Sequence, residues 1–269
     1  MNIVLGAAKN SVAKAFAPSI VAAGAVFIDN SSAFRLDPDV PLIVPEINPE
    51  DLLMHHGIIA NPNCSTIITL MAVNPLHRLS KIRALYISTY QATSGAGENG
   101  PKELLAQTKA LLNDEPIISR VFPYQIAYNL IPQIGDFNDL GYTAEEMKLQ
   151  NEGRKILHSP ILKVACTCVR VPVIRSHSIS VVAITEEKIT VEDAKKAIMQ
   201  ADGCQLTDDP QQLVYPMPLA TSDQDQVYVG RIRKDLVNAN GINLWCCGDQ
   251  LRKGAATNAV QIAEYLIKY

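Results

Sequence analysis

Apolar positions along the chain fall into short β-branched runs, separated by stretches in which they recur every three or four residues. This is the pattern of an α/β protein. In the front quarter, residues 2–5, 26–29 and 57–60 read as strands and 12–23 as a helix. The third strand runs into the turn Asn61-Pro62-Asn63-Cys64 and then a helix over 65–79. A longer strand over 82–92 leads to the loop Ser94-Gly95-Ala96-Gly97 and a helix over 101–112. Thr143 and Glu146 head a helix over 143–157 with the spacing of a capping box.

The back half carries long alternating strands at 164–171, 173–185 and 226–232, which predict a largely antiparallel or mixed sheet with one face covered. A helix over 191–201 lies among them, and a strand at 242–247 and an amphipathic helix over 254–269 close the chain. The change from short to long strands puts a domain boundary near Cys64. Residues 1–64, with 242–269 packing back on them, form one expected unit and 65–241 the other.

Composition changes this picture little. With 48% hydrophobic and 19% charged residues and a net charge of −3, the chain resembles an ordinary globular protein and has no electrostatic reason to bind nucleic acid or membrane. No apolar run approaches the ~18 residues of a membrane span, and no basic-then-apolar leader opens the chain. A cytoplasmic protein is expected.

None of the six cysteines sits in a C-x-x-C pair, and no Cys/His spacing resembles a zinc site, so no metal is expected. Cys166, Cys168, Cys246 and Cys247 lie in apolar strand runs, where cysteine acts as a small hydrophobe. Cys64 differs, because it closes a strand–turn–helix junction. Orphan N–H groups at a helix start favour an anion and lower a thiol pKa from about 8.5 toward neutrality, which suits a nucleophile. A cysteine that merely packs fits the same position. His177, between Ser176 and Ser178, reads as a structural histidine or a base. Arg170 interrupts an apolar run and needs an anionic partner, either a structural carboxylate or that of a substrate. Lys148, Glu152 and Lys155 share one helix face, which alone reads as a salt-bridged stripe.

Taken in order, several segments resemble the aspartate-semialdehyde dehydrogenase family. They are Asp29-Asn30-Ser31-Ser32-Ala33-Phe34-Arg35, Asn63-Cys64-Ser65-Thr66, Gln91-Ala92-Thr93-Ser94-Gly95, Asn129-Leu130-Ile131-Pro132, and Arg170-Val171-Pro172 through His177. Pro216-Met217-Pro218-Leu219, Val229-Gly230-Arg231-Ile232-Arg233 and Leu251-Arg252-Lys253-Gly254 complete the match.

The resemblance implies an incomplete Rossmann-like dinucleotide-binding domain plus an α/β catalytic and dimerisation domain with a mixed sheet. It implies an NADP-dependent, phosphorylating oxidoreductase of amino-acid biosynthesis, working as a homodimer or homotetramer on a small-molecule substrate and phosphate. Cys64 then matches the nucleophile, His177 the general base and Gln91 the residue that orients the intermediate. Arg170 matches the clamp on the substrate carboxylate, Glu152 the acceptor of its ammonium group, and Arg35 with Lys155 the cations that hold phosphate. Asn63 stands beside the nucleophile, and Ser94, Gly95 and Gln250 fall at the cofactor.

Departures from the family lie on the cofactor side. No glycine-rich fingerprint precedes a strand and helix, Gly6-Ala7-Ala8-Lys9-Asn10-Ser11 lacks the family's double glycine, and Gln250 stands for an asparagine. Gly153 replaces a threonine. Weakened or lost NADP binding is therefore expected. Two other readings stay open: cofactor-independent acyl transfer at Cys64, and a non-catalytic subunit.

Overall fold

In the computed structural model the described residues are 2–268; Met1 and Tyr269, at the ends of the two outermost expected elements, lie outside them. The front builds a small parallel sheet from β1 (Asn2–Gly6), β2 (Ala25–Asp29) and β3 (Ile58–Ala60), in that order. Between the first two strands, α1 (Asn10–Ala22) turns its small residues Ala13 and Ala17 onto Phe27. A parallel pair needs such a crossover, and the βαβ unit supplies it.

From β3 the chain enters α2 (Cys64–Leu79), which is buried without a break from Ser65 to His77. Apolar residues fall on every side of it, and Ser65, Thr66, Thr69 and Asn74 are buried among them, so it has no solvent face over this span and runs inside the molecule. It packs on β4 (Ile82–Gln91), α4 (Ala144–Ile156), β6 (His177–Thr185), α5 (Val191–Met199), β8 (Val227–Lys234) and β9 (Gly241–Gly248). Full burial of Ile67, Ile68 and Leu76 stabilises this layer by about 2 kcal/mol per side chain in transfer terms.

The large sheet has six strands in the order β5-β4-β6-β9-β8-β7, with β5 at Lys163–Arg170 and β7 at Cys204–Leu206. The two outermost pairs are parallel and the inner ones antiparallel, so the expected mixed sheet is present. One face, including Ile87, Cys168, Ile179, Val181, Leu244 and Cys246, covers α2 in a single large core. The other is open. Across it the register aligns Thr167, Ser88, Ser180, Trp245 and Gly230 in one row.

Two features differ from the sequence reading. The strand expected at 173–185 begins only at His177, because Pro172 and the left-handed Ser176 (φ 72°) hold the preceding segment as a loop. The strand expected at 242–247 to return to the front segment pairs instead with β6 and β8 inside the large sheet. Its alternation suits either sheet, and strand pairing is not local information. Only the helix after it returns. A π-turn at Arg252–Ala256 precedes α7 (Thr257–Lys268), whose Ala259, Ile262 and Leu266 pack on Val26, Ile28 and Ile59. A helix α3 (Asn99–Leu112) and a short α6 (Pro218–Thr221) complete the elements used below. No helix among the described residues is long and apolar enough to cross a membrane.

Candidate active site

Four elements converge on the start of α2. Asn63 caps the helix, its Oδ1 accepting the N–H groups of Ser65 and Thr66 at 3.0 and 3.2 Å, which leaves Cys64 at the first helical position. The π-turn comes close behind: a Cβ on Gly254 would stand 3.1 Å from the Cys64 Cβ. β6 opens with His177, whose Nε2 lies 3.6 Å from the Cys64 sulfur. β4 ends with Gln91, its Nε2 3.5 Å from the same imidazole nitrogen.

The imidazole is oriented from behind, where Nδ1 accepts the N–H of Ala92 at 3.1 Å. With Nδ1 occupied as an acceptor, the neutral ring carries its proton on Nε2 and meets the sulfur as a donor. Burial and then the nearby Arg170 depress His177 from 6.5 to about 3, so the ring is neutral. This departs from the base expected from the resemblance, since the atom facing Cys64 already holds a proton.

The thiol departs from expectation as well. Burial first, then the Glu145 carboxylate, push Cys64 up to about 11, while Arg170, Arg35 and Lys148 pull the other way. The expected drop toward neutrality rested on the helix end alone, and desolvation with a facing carboxylate outweighs it. The resting pair is a neutral thiol beside a neutral imidazole.

Arg170, at the end of β5, is buried with Nη1 donating to the Ala92 carbonyl at 2.6 Å and its guanidinium over Phe122 at 5.9 Å. Among the described residues no carboxylate pairs with it. A substrate carboxylate would meet this need.

Helix α4 supplies acids and bases from one stripe, and its capping box is present as expected. The residue that meets the Cys64–His177 pair is Glu145, which sequence reasoning missed. It is buried and accepts from Lys148 at 2.8 Å, from Asn63 Nδ2 at 3.0 Å and from Gln91 Nε2 at 3.2 Å. These donors hold its pKa below the usual carboxylate range although burial opposes them.

Glu152, expected to take the substrate ammonium, is instead committed to the frame of the site. Its Oε2 accepts the Asn63 N–H at 2.7 Å and its Oε1 pairs with Arg35 at 3.2 Å, with both side chains buried. Burial raises its pKa, against the pull of Arg35.

Lys155 is not at the site. Its ammonium donates to the carbonyls of Arg35, Asp37 and Val40 at 3.0, 2.6 and 2.6 Å, using all three protons to clasp that loop. Lys148, earlier on the same stripe, is the lysine whose charge reaches Cys64. Arg35 does reach the site, with Nε on the Asn61 carbonyl at 2.9 Å and Nη2 on the Asn30 carbonyl at 2.8 Å.

On the cofactor side, Gln250 is fixed by Ser94 Oγ and by the Ser176 N–H at 3.0 Å. Gly95 is exposed and leaves space that a Cβ would fill at 2.7 Å from Arg170 Nη1 and 3.1 Å from His177 Nε2. A flat ring could lie over the reacting pair there. Elsewhere, Glu50, Asp51 and His158 place potential ligand atoms within 4.8 Å of one another, a grouping that no spacing in the sequence indicated. His158 pairs there with Asp51 at 3.1 Å.

A half-buried thiol and a buried imidazole at a helix start, with an arginine and a glutamate beside them, have the make-up of a cysteine-dependent acyl-transfer site on a two-sheet α/β frame. The semialdehyde dehydrogenase dimerisation domain matches residues 73–253, and the semialdehyde dehydrogenase NAD-binding domain matches 1–55. Aspartate-semialdehyde dehydrogenase of Bacillus subtilis (strain 168) is 52% identical over 100% of this chain and 80% of its own length. Among solved structures, aspartate semialdehyde dehydrogenase II from Vibrio cholerae, complexed with ASA, superposes with a TM-score of 0.97 at 44% identity, covering 100% of this chain and 80% of that one. The Candida albicans enzyme with NADP superposes at 0.76 and 25% identity, covering 99% and 77%. The chain belongs to the aspartate-semialdehyde dehydrogenase family, whose members are NADP-dependent phosphorylating oxidoreductases.

Proposed function

We propose that this chain converts L-aspartate 4-semialdehyde and phosphate to 4-aspartyl phosphate through a thioester on Cys64, in a cytoplasmic setting and as a homodimer or a tetramer of such dimers. The observation that carries this reading is that the charges of Arg170 and Glu145 both bear on the Cys64–His177 pair. One cation and one anion, each buried, suit the two charged ends of an amino acid and leave its side-chain aldehyde at the sulfur.

Arg170 holds the α-carboxylate and Glu145 the ammonium group. The Cys64 thiol first loses its proton to solvent water; the thiolate then attacks, and charge passes from sulfur to the aldehyde oxygen. Nε2–H of His177 and Nε2 of Gln91 donate to that oxygen as the charge develops. NADP, when bound, supplies the hydride acceptor. Ser94, Gly95 and Gln250 would hold its nicotinamide, and the parallel front sheet with α7 would form the rest of the cofactor side. Lys148 and Arg35 hold phosphate for attack on the thioester, and the thiolate is the leaving group. Once the thiol has ionised, each turnover starts from and regenerates the thiolate, and His177 serves it as a donor through Nε2–H. Glu152 keeps Arg35 and the Asn63 peptide in place.

The test is phosphate-dependent NADP reduction with aspartate semialdehyde, beside a Cys64→Ala control. Turnover that vanishes in the control is expected. A folded protein that reduces no NADP while aspartyl phosphate still acylates Cys64 would replace this reading with cofactor-independent acyl transfer.

A further inference from the structure

Arg170 is gripped by a part of the chain that the chemistry above does not use. Its backbone N–H and carbonyl pair with Ile131 at 2.8 and 3.0 Å, and its guanidinium lies over the Phe122 ring at 5.9 Å. Both partners come from residues 118–131, which form no helix and only the isolated bridge at Ile131. The polar backbone of such a segment has to be satisfied from elsewhere.

Helix α3 satisfies it with two side chains one turn apart. Glu103, buried, accepts the N–H groups of Arg120, Val121 and Phe122 at 2.7, 2.7 and 3.2 Å. No cation pairs with it among the described residues, since the neighbouring Lys102 pairs with Glu98. Backbone dipoles therefore meet most of its charge. Gln107 accepts the N–H groups of Ile126 and Ala127 at 2.8 and 3.1 Å and donates to the Ile118 carbonyl at 3.1 Å. Leu104, Phe122, Ile126, Ala127 and Ile131 then close into a small core of their own. Gly100 lets the start of α3 reach the ring, because a Cβ there would stand 3.4 Å from Phe122 Cζ and nearer still to the Thr93 carbonyl.

This grip leaves the guanidinium one free edge. Nη1 is spent on the Ala92 carbonyl, while Nε and Nη2 have no partner among the described residues. An aromatic face attracts a cation, and more strongly when both are desolvated. The donors left over lie in the guanidinium plane, where a carboxylate docks through two parallel bonds. We propose that Phe122 is a positioning residue for substrate specificity: it backs Arg170 so that the Nε–Nη2 edge meets the substrate carboxylate, and Glu103 and Gln107 hold the ring there from α3. This rests on the reading of Arg170 as the carboxylate clamp. The selectivity it supplies is for an aldehyde that carries a carboxylate beside its amino group over one that carries the amine alone.

The test uses Phe122→Met, which fills the space with a flexible apolar chain and has no ring face. Each chain is checked by thermal melting, and kcat/KM is measured for aspartate semialdehyde and for 3-aminopropanal, the same aldehyde without its carboxylate. The preference for aspartate semialdehyde is expected to fall about three- to tenfold through a raised KM, with 3-aminopropanal turned over as by the parent. Glu103→Gln, whose amide sets a donor against donor N–H groups, should shift the preference in the same sense. A preference unchanged in Phe122→Met, or an equal loss on both aldehydes, would overturn the proposal.

A second readout needs no turnover. L-2-aminobutyrate should slow the alkylation of Cys64 by iodoacetamide in the parent, and half-protection should take about three- to tenfold more of it in Phe122→Met. Propylamine, which lacks the carboxylate, should act alike on both chains. Equal protection of the two chains by 2-aminobutyrate would overturn the proposal and leave the clamp standing; no protection of the parent would remove the clamp as well. A parent that is protected but reduces no NADP fails only the proposed chemistry.

Discussion

Glu152 Oε2 accepts the backbone N–H of Asn63 at 2.7 Å, so an acid on α4 fixes the peptide immediately before the nucleophile. The same carboxylate pairs through its other oxygen with the buried Arg35. Removing one partner of a buried ion pair leaves the other uncompensated, at a cost of about 3–5 kcal/mol. Glu152→Ala is therefore expected to lose about that much stability in urea unfolding. Glu152→Gln, whose single amide oxygen can still accept one of the two hydrogen bonds, should lose less. Equal losses in the two variants would show that the carboxylate is not the anchor.

Glu145 and Arg170 should separate by substrate. A hydrogen bond to a charged group contributes about 1.5–3 kcal/mol, or roughly 10- to 100-fold in binding. Glu145→Gln is expected to raise KM for the amino aldehyde by that factor. The same change should do little for an analogue lacking the amino group. An equal penalty on both compounds would remove Glu145 from the ammonium site.

The two lysines of α4 should give opposite results. Lys148→Met is expected to raise KM for phosphate at least tenfold. Lys155→Met should leave that KM within about twofold and instead lower the melting temperature, since three hydrogen bonds to the 35–40 loop are lost. A phosphate defect in Lys155→Met, in a chain of unchanged stability, would return Lys155 to the site.

The pH behaviour follows from two shifts of opposite consequence. His177 is depressed from 6.5 to about 3 on folding, so between those values the unfolded chain binds more protons than the folded one. Stability should be full above about 6.5 and fall as the pH drops toward 3, with a shallower fall in His177→Asn. Cys64 is raised to about 11, so carbamoylmethylation by iodoacetamide should accelerate with pH up to that region. A plateau beginning near neutrality would mean that the pair rests as thiolate and imidazolium.

Much of the fold could be read from pattern. The Thr143–Glu146 cap, the long alternating strands and the turn before Cys64 are local signals, and each is present in the structure. The choice between Glu145 and Glu152 is different in kind. They stand seven residues apart, two helical turns, so both lie on one stripe and periodicity cannot separate them. Their positions differ by about 10 Å along the axis, and only the docking of α4 against Gln91 and Asn63 decides which end meets the substrate. The thiol fails for a related reason. A helix start is visible in sequence, but the desolvation and the Glu145 charge that outweigh it come from distant elements. Strand β9 likewise has an alternation that fits either sheet, and its partners are chosen by topology.

Helix α2 has a consequence for how this protein is assembled. Its first residue is Cys64, and the next thirteen are buried, with the contacts coming from elements that follow it, from β4 to the π-turn at Arg252–Ala256. A free helix of this length is marginal in water, and one with apolar residues on every side has no wholly polar face to leave wet. The helix is sheltered only when these later elements dock on it, so its ordering and theirs go together. The nucleophile's surroundings thus come into being at the close of folding, and a partly folded chain carries an ordinary cysteine.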